Sequence, residues 1–238
     1  MAIEKFYWKR EVHKLGKPVD KKEWYMTPQT VNAYYSFGTN SINFPAGILQ
    51  PPLFDINGDP AINYGAMGTV IGHELSHGFD DMGSQFDGSG NRKNWWTKID
   101  KEKFDKKGKA LVRQFSEYEA DKGLFVNGEL TLGENIGDLG GLVIGYDALK
   151  EAIRKDEVNI DEKGGFTPEQ RFFLGTSLSE RAVYRKEFIH MQVRNDPHSP
   201  AKYRINGPLS NMDEFYEAFG VKNGDKLYRN KKNRIVIW

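Results

Sequence analysis

The sequence contains no cysteine among its 238 residues. Disulfide bonds and catalysis by a cysteine thiolate are therefore excluded. Stability has to come from a packed core, and a chain of this length can bury about 70–75% of the surface that its unfolded form exposes. We expect residues 1–238 to form one globular unit.

Long hydrophobic runs are also lacking. No stretch reaches the roughly 20 apolar residues of a membrane-spanning helix, and residues 1–10 do not follow the signal-peptide pattern. The sequence therefore predicts no membrane insertion. It leaves the compartment open between the cytoplasm and secretion.

An excess of charge of either sign is missing as well. The chain has 34 basic and 33 acidic side chains, for a formal net charge of +1. This balance predicts no nucleic-acid partner and no binding to an acidic membrane surface. Lysine-rich stretches at 98–109 and 226–232 are interpreted as solvated faces.

A metal-binding pattern, HELSH, occurs at residues 73–77. Residues four apart lie on one face of a helix, so His73 and His77 can bind the same zinc ion. Glu74 lies beside that ion, where it can accept a proton from water. Apolar residues at helical spacing predict a helix with the histidines near its buried face. They are Met67, Val70, Ile71, Leu75 and Phe79.

A catalytic zinc site needs a third protein ligand. The remaining histidines His13, His190 and His198 are candidates, but Glu134 is a better one. With Asp138 four residues later it begins a second apolar segment, where two acids are costly unless a cation meets them. Asp138 is predicted to accept the second N–H of a ligand histidine. The alternative is a solvated helix start, where carboxylates suit the helix dipole.

The coarse layout predicted along the chain is α+β. Strand-like runs occur within 1–36 and 42–49, with a turn at 38–40 between strands. Helices are predicted at 95–118, 139–155 and 211–219, and a further helix starts at Thr167 and Pro168. The apolar tail at 235–238 is predicted to pack on the core.

HExxH followed further along the chain by a glutamate, with an aspartate four residues on, resembles the gluzincin metallopeptidases. Shorter motifs make the resemblance specific to the neprilysin family of zinc endopeptidases, and it extends over 17–238. The motifs are VNAYY at 31–35, NFPAGILQPP at 43–52, NYG at 63–65, HGFDD at 77–81, GELTLGENI at 128–136 and HSP at 198–200.

The resemblance implies a thermolysin-like catalytic lobe, rich in helix, with a small sheet whose edge strand binds peptide. It implies one zinc ion per chain, held by His73, His77 and Glu134. Glu74 is then the general base, and Asp138 the acid behind a ligand histidine.

Further roles come from the same resemblance. His198 matches the residue that steadies the tetrahedral intermediate, and Arg204 matches one that grips a substrate carbonyl. Asn32 and the backbone of Ala33 match the strand edge along which the peptide lies. Apart from the resemblance, Asp196 lies two residues before His198, and from this proximity it is expected to orient or help charge that ring.

Two departures from the family stand out. Its members carry a large helical lobe ahead of the catalytic one, so we expect 1–238 to be a single catalytic lobe whose partner lobe is missing. The pocket for the side chain after the scissile bond also differs, since Ser179 and Glu180 replace a valine–tryptophan pair. Glu180 is expected to pair with Arg181 or to turn outward. The rest of that pocket's wall matches the family through Ile48, Leu53, Thr69 and Val70.

The function predicted from these observations is zinc-dependent hydrolysis of internal bonds in peptides. The alternative is a zinc-stabilised lobe that binds peptides but turns them over poorly without its partner. Because the chain has no cysteine, it resembles the bacterial members rather than the disulfide-bonded animal ones.

Overall fold

A computed structural model describes residues 1–238. Helices dominate it, and two antiparallel two-stranded hairpins accompany them, which agrees with the predicted helix-rich α+β class. The helices are α1 (Ala2–Val12), α2 (Pro60–Asn63), α3 (Thr69–His77), α4 (Lys98–Ser116), α5 (Leu132–Arg154), α6 (Pro168–Ser179), α7 (Lys186–Asn195), α8 (Ala201–Leu209) and α9 (Asp213–Phe219). The strands are β1 (Tyr34–Ser36), β2 (Ser41–Asn43), β3 (Glu119–Asp121) and β4 (Leu124–Phe125). No helix has both the length and the apolar character that crossing a membrane requires.

The helix that carries HExxH is the end of a longer helical run. α2 starts behind Asp59, whose side chain accepts the N–H of Ala61, with Pro60 in the first turn. A π-helical turn at Tyr64–Gly68 joins α2 to α3 without a gap. Such turns are frequent at functional sites. The run ends at His77, so both histidines lie on its last two turns.

Glycines let α3 and α5 pack with their backbones in contact. A Cβ atom added to Gly141 of α5 would lie 2.5 Å from the carbonyl oxygen of Thr69 and 2.6 Å from the amide nitrogen of His73. One added to Gly137 would lie 2.8 Å from the His73 ring. Glycine at these positions therefore places the His73 ring directly on α5.

The apolar face predicted for α3 is wrong in its outer part. Ile71, Leu75 and Phe79 are 39%, 41% and 51% exposed, while His73 and Glu74 are buried. The reason is the glycine contact: α3 approaches α5 with its small and polar side, and its larger aliphatic residues point away from that contact.

α5 lies between two hydrophobic clusters and supplies residues to both. One cluster joins it to α6 and α9 through Leu142, Leu149, Phe172, Phe173 and Phe215, among others. The other joins it to α4 and the C-terminal tail. Its members include Leu111, Phe115, Ile136, Ile235 and Ile237. The packing predicted for the tail is confirmed.

Several predicted boundaries shift. Within residues 1–36, where strand-like runs were predicted, Tyr34–Ser36 is a strand, but Ala2–Val12 is a helix with no buried residue. α5 begins at Leu132, earlier than the predicted 139, so Glu134 and Asp138 both lie on it. The start of α6 is confirmed: Thr167 caps it and forms a capping box with Gln170.

Candidate metal centre and active site

A cavity of about 590 Å³ lies against α3, α5, α6 and α8, and every residue predicted for the site lines it. These nine residues come from distant parts of the chain and from several elements. They are Asn32, Ala33, His73, Glu74, His77, Glu134, Asp138, His198 and Arg204.

Three of these residues form a cluster suited to a metal ion. One donor atom each from His73, His77 and Glu134 lies within 4.8 Å of the other two. Oε2 of Glu134 is 3.2 Å from Nε2 of His73 and 3.9 Å from Nε2 of His77. Two imidazole nitrogens and one carboxylate oxygen that converge on one point match the ligand set of a catalytic zinc site.

A carboxylate holds the second nitrogen of each histidine. Nδ1 of His73 lies 2.9 Å from Oδ1 of Asp138, and Nδ1 of His77 lies 2.7 Å from Oδ2 of Asp80. These contacts favour the tautomer with the proton on Nδ1, which leaves the Nε2 lone pairs directed at Glu134. Metal-binding histidines are oriented in this way.

Asp80 was not among the predicted site residues. It is buried, and its Oδ1 also accepts the N–H groups of Met82 and Gly83 at 2.8 and 2.6 Å. The available signal was its position three residues after His77, within one turn of the end of α3. Asp80 thus holds the His77 ring as Asp138 holds the His73 ring.

The carboxylate of Glu134 supports the fit to a cation. Its Oε2 is buried and has no hydrogen-bond partner with adequate geometry. Burial alone would raise the pKa of Glu134, but the imidazoles of His198 and His73 outweigh burial and hold that pKa well below its ordinary value. For His73 the effect of burial is the opposite, because burial alone would lower its pKa. Contacts with Asp138 and Glu134 outweigh burial and raise the pKa to about 10.

Glu74 lies in the same buried region and stays free of hydrogen bonds. Its Oε2 has no hydrogen-bond partner, and its side chain is buried. Burial raises the pKa of Glu74, although the neighbouring His73 and His77 oppose the shift. A carboxylate with a raised pKa and an uncommitted oxygen is suited to accept a proton.

His198 reaches the ligand cluster from the loop between α7 and α8. Its Nε2 lies 3.1 Å from Oε2 of Glu134, and its Nδ1 lies 2.8 Å from Oδ1 of Asp196. The Glu134 carboxylate raises the pKa of His198 despite partial burial. This ring therefore presents an N–H towards the cavity, with Asp196 behind it.

Arg204 on α8 makes a bidentate ion pair with Asp138. Its Nε and Nη2 donate to the two carboxylate oxygens at 2.9 and 2.7 Å. Its Nη1 lies 3.4 Å from Oε1 of Glu180, which lines the cavity. The expectation that Glu180 pairs with Arg181 or turns outward is therefore wrong. The buried guanidinium of Arg204 attracts the Glu180 carboxylate more strongly than a solvated guanidinium such as that of Arg181 would.

Asn32 and Ala33 line the cavity directly before β1 rather than within it. The Asn32 side chain accepts the N–H of Ala33 at 2.9 Å. β1 itself pairs only with β2, in the register that places Tyr34 opposite Asn43. The backbone at 32–33 therefore extends the hairpin edge towards the metal ligands.

Comparison with known proteins identifies the family. The sequence profile of Peptidase family M13 matches residues 32–235. The chain belongs to this family. The predicted resemblance to the neprilysins is thereby confirmed.

Curated relatives come from animals and bacteria. Neprilysin-3 of Drosophila melanogaster is 43% identical over 232 residues, which are 97% of this chain and 29% of that protein. The neutral endopeptidase of Lactococcus lactis is 42% identical over 229 residues, which are 96% of this chain and 34% of that protein. The chain thus spans about a third of the length of the relatives that it matches.

Two solved structures of bacterial enzymes show the same fold. The zinc metalloprotease Zmp1 of Mycobacterium tuberculosis, in complex with an inhibitor, superposes with a TM-score of 0.91 at 45% identity. This match covers 97% of this chain and 36% of that one. PepO of Lactobacillus rhamnosis superposes with a TM-score of 0.84 at 38% identity, over 94% and 34% of the two chains. The predicted fold class is confirmed.

Proposed function

We propose that this chain is the catalytic lobe of a zinc-dependent endopeptidase that hydrolyses internal bonds of peptides. The observation that carries the proposal is the convergence of His73, His77 and Glu134, with the two rings held by Asp138 and Asp80. Family membership supports the same reaction class.

His73, His77 and Glu134 would hold one zinc ion per chain. When bound there, zinc supplies Lewis acidity, which polarises a substrate carbonyl and lowers the pKa of water towards about 7. Asp138 and Asp80 keep the two rings in the coordinating tautomer. The carboxylate of Glu134 remains ionised because the neighbouring imidazoles lower its pKa.

Glu74 is the proposed general base. Its uncommitted, buried oxygen accepts a proton from the attacking water and then passes that proton to the leaving amine. The pKa of Glu74, raised by burial, suits both steps, because a base that is too weak could not take the proton and one that is too strong could not return it.

His198 and Arg204 are the proposed groups for the substrate carbonyls. Attack on a peptide bond creates an oxyanion, and the Nε2–H of His198 donates towards the region beside Glu134 where it forms. Asp196 keeps that ring oriented. Arg204 offers the N–H groups of Nη1, since Nε and Nη2 each donate to Asp138. Asn32 and Ala33 provide backbone and amide groups for an extended peptide.

Turnover of an internally quenched peptide tests the proposal. We expect cleavage by zinc-loaded protein, its loss after treatment with a chelator, and its return with added zinc. Zinc-dependent binding of the peptide without cleavage would favour the alternative, a peptide-binding lobe that needs a partner lobe for turnover.

A further inference from the structure

One wall of the cavity combines apolar surface with a carboxylate and unused acceptor oxygens. Ile48, Val70 and Leu142 line the cavity with apolar side chains, and Thr176, Ser179 and Glu180 line it from the last turn and C-cap of α6. The Thr176 hydroxyl donates to the carbonyl of Gly65 at 2.8 Å, and the Ser179 hydroxyl donates to the carbonyl of Thr176 at 2.7 Å. Both hydroxyl protons are therefore committed, so these oxygens are left to accept hydrogen bonds.

The charges at this wall do not cancel. Arg204 gives its Nε and Nη2 to Asp138, and Glu180 meets only the remaining Nη1 at 3.4 Å. With His73 neutral, in the tautomer that its contact with Asp138 favours, the guanidinium of Arg204 and the carboxylates of Asp138 and Glu180 leave a formal charge of −1. The Glu180 side chain is only 26% exposed, so water compensates this charge poorly. Burial accordingly raises the pKa of Glu180 above its ordinary value.

We propose that Glu180 gives this enzyme a preference for a lysine or arginine side chain immediately after the scissile bond. The inference rests on the proposed function, and it names the substrate class of the same site. The aliphatic stem of the basic side chain packs on Val70 and Leu142, while its cation meets Glu180 and the hydroxyl oxygens of Thr176 and Ser179. A ligand that donates several hydrogen bonds matches the acceptor oxygens of Glu180, Thr176 and Ser179.

Arg204 does not repel such a substrate. Its positive charge is matched by the bidentate contact with Asp138, and its Nη1 carries two N–H groups, so that one can face Glu180 while the other is available for a backbone carbonyl. Glu180 is therefore the group whose charge remains for the side chain. The pocket thus separates carbonyl binding by Arg204 from side-chain selection by Glu180.

The test compares quenched peptides that differ only in the residue after the cleaved bond, lysine against leucine. With zinc-loaded wild-type protein, we expect kcat/KM to favour lysine by about tenfold or more, the scale of a hydrogen-bonded charge pair. Glu180→Gln should reduce this lysine-to-leucine ratio by about tenfold, and Glu180→Leu should reverse it. Glu187→Gln, an exposed acid on α7, is the matched control and should leave the ratio unchanged.

Equilibrium binding separates this inference from the proposed reaction. Dissociation constants for the same peptides are measured by fluorescence anisotropy with zinc-loaded Glu74→Gln, with and without Glu180→Gln. A lysine preference that depends on Glu180 without cleavage by the wild type would refute the endopeptidase activity and support the pocket assignment. The inference is overturned if leucine equals or exceeds lysine, if Glu180→Gln and Glu180→Leu both keep the wild-type ratio, or if the preference concerns the residue before the bond.

Discussion

At the scale of single residues, the carboxylate behind each proposed ligand histidine is expected to decide how well the site holds zinc. Asp138 serves His73 and also binds Arg204, whereas Asp80 serves His77 and accepts two backbone N–H groups. The two acids therefore orient the rings in different surroundings. Asp80 can be changed without disturbing the arginine.

Asp80→Asn is expected to weaken zinc binding by about 10–100-fold, the usual effect of removing such an acid. The amide keeps the shape of the side chain but no longer supplies a charged acceptor for Nδ1 of His77. The dissociation constant for zinc is measured by competition with a chromophoric chelator. Asp147→Asn, an exposed acid on α5, is the control. An unchanged constant in Asp80→Asn would show that Asp80 does not orient a zinc ligand.

His198→Phe is expected to lower kcat and kcat/KM together by about 10²–10³-fold, as the loss of one oxyanion donor does. The donor acts chiefly in the transition state, so KM should change little. Steady-state kinetics with one quenched peptide provide both constants. A change confined to KM would make His198 a binding residue only.

At the scale of elements, the packing of α3 on α5 positions the ligands of one helix against those of the other. Gly141 allows this contact because any larger residue would meet the backbone of Thr69 and His73. Gly108 on α4 is different: a Cβ there would meet only the Leu132 side chain, at 3.7 Å.

Gly141→Ala is therefore expected to destabilise the fold by about 1–3 kcal/mol through overpacking, and to weaken zinc binding as α3 moves away. Gly108→Ala should instead be neutral or stabilise by up to about 1 kcal/mol, since alanine favours a helix interior. Urea denaturation of the two variants provides the comparison. Equal stabilities would mean that the α3–α5 contact tolerates a methyl group.

The sequence predicts which residues lie together at the cavity better than it predicts the bounds and packing of the helices and strands. HExxH needs only helical periodicity to place His73 and His77 together. The same periodicity places Glu134 and Asp138 on one face of α5, and the cost of burying two acids predicts that this face meets a cation. The glycine contact was not predicted, because it depends on how two helices approach each other. That approach turned Ile71 and Leu75 away from the contact with α5. The orientation of Glu180 also depends on a long-range partner, Arg204, which spacing cannot reveal.

The first helix illustrates the same limit. Residues 1–36 were predicted to contain strand-like runs, yet only Tyr34–Ser36 is a strand among them, and Ala2–Val12 is a helix with no buried residue. Beyond its end, Lys14 contacts Glu11 and Glu23. Composition alone does not distinguish a strand from an exposed helix in this part of the chain.

At the scale of the whole molecule, zinc is expected to stabilise the fold because its ligands come from α3 and α5, whose contact joins large parts of the core. A ligand bound only by the folded state adds about 4 kcal/mol when its free concentration is 1,000 times its dissociation constant. Calorimetry with and without a chelator should therefore show a lower Tm for the stripped protein. His73→Ala should melt at the same temperature in both conditions. A chelator-independent Tm in the wild type would mean that no metal bridges the two helices.

The account rests on Glu74 acting as the base of a zinc peptidase, and one substitution tests this most directly. Glu74→Gln keeps the size of the side chain but cannot accept the proton. The zinc-loaded variant should bind one zinc and bind the quenched peptide as the wild type does, while kcat falls by about 10²–10⁴-fold. Cleavage by Glu74→Gln at close to the wild-type rate would contradict the proposed mechanism.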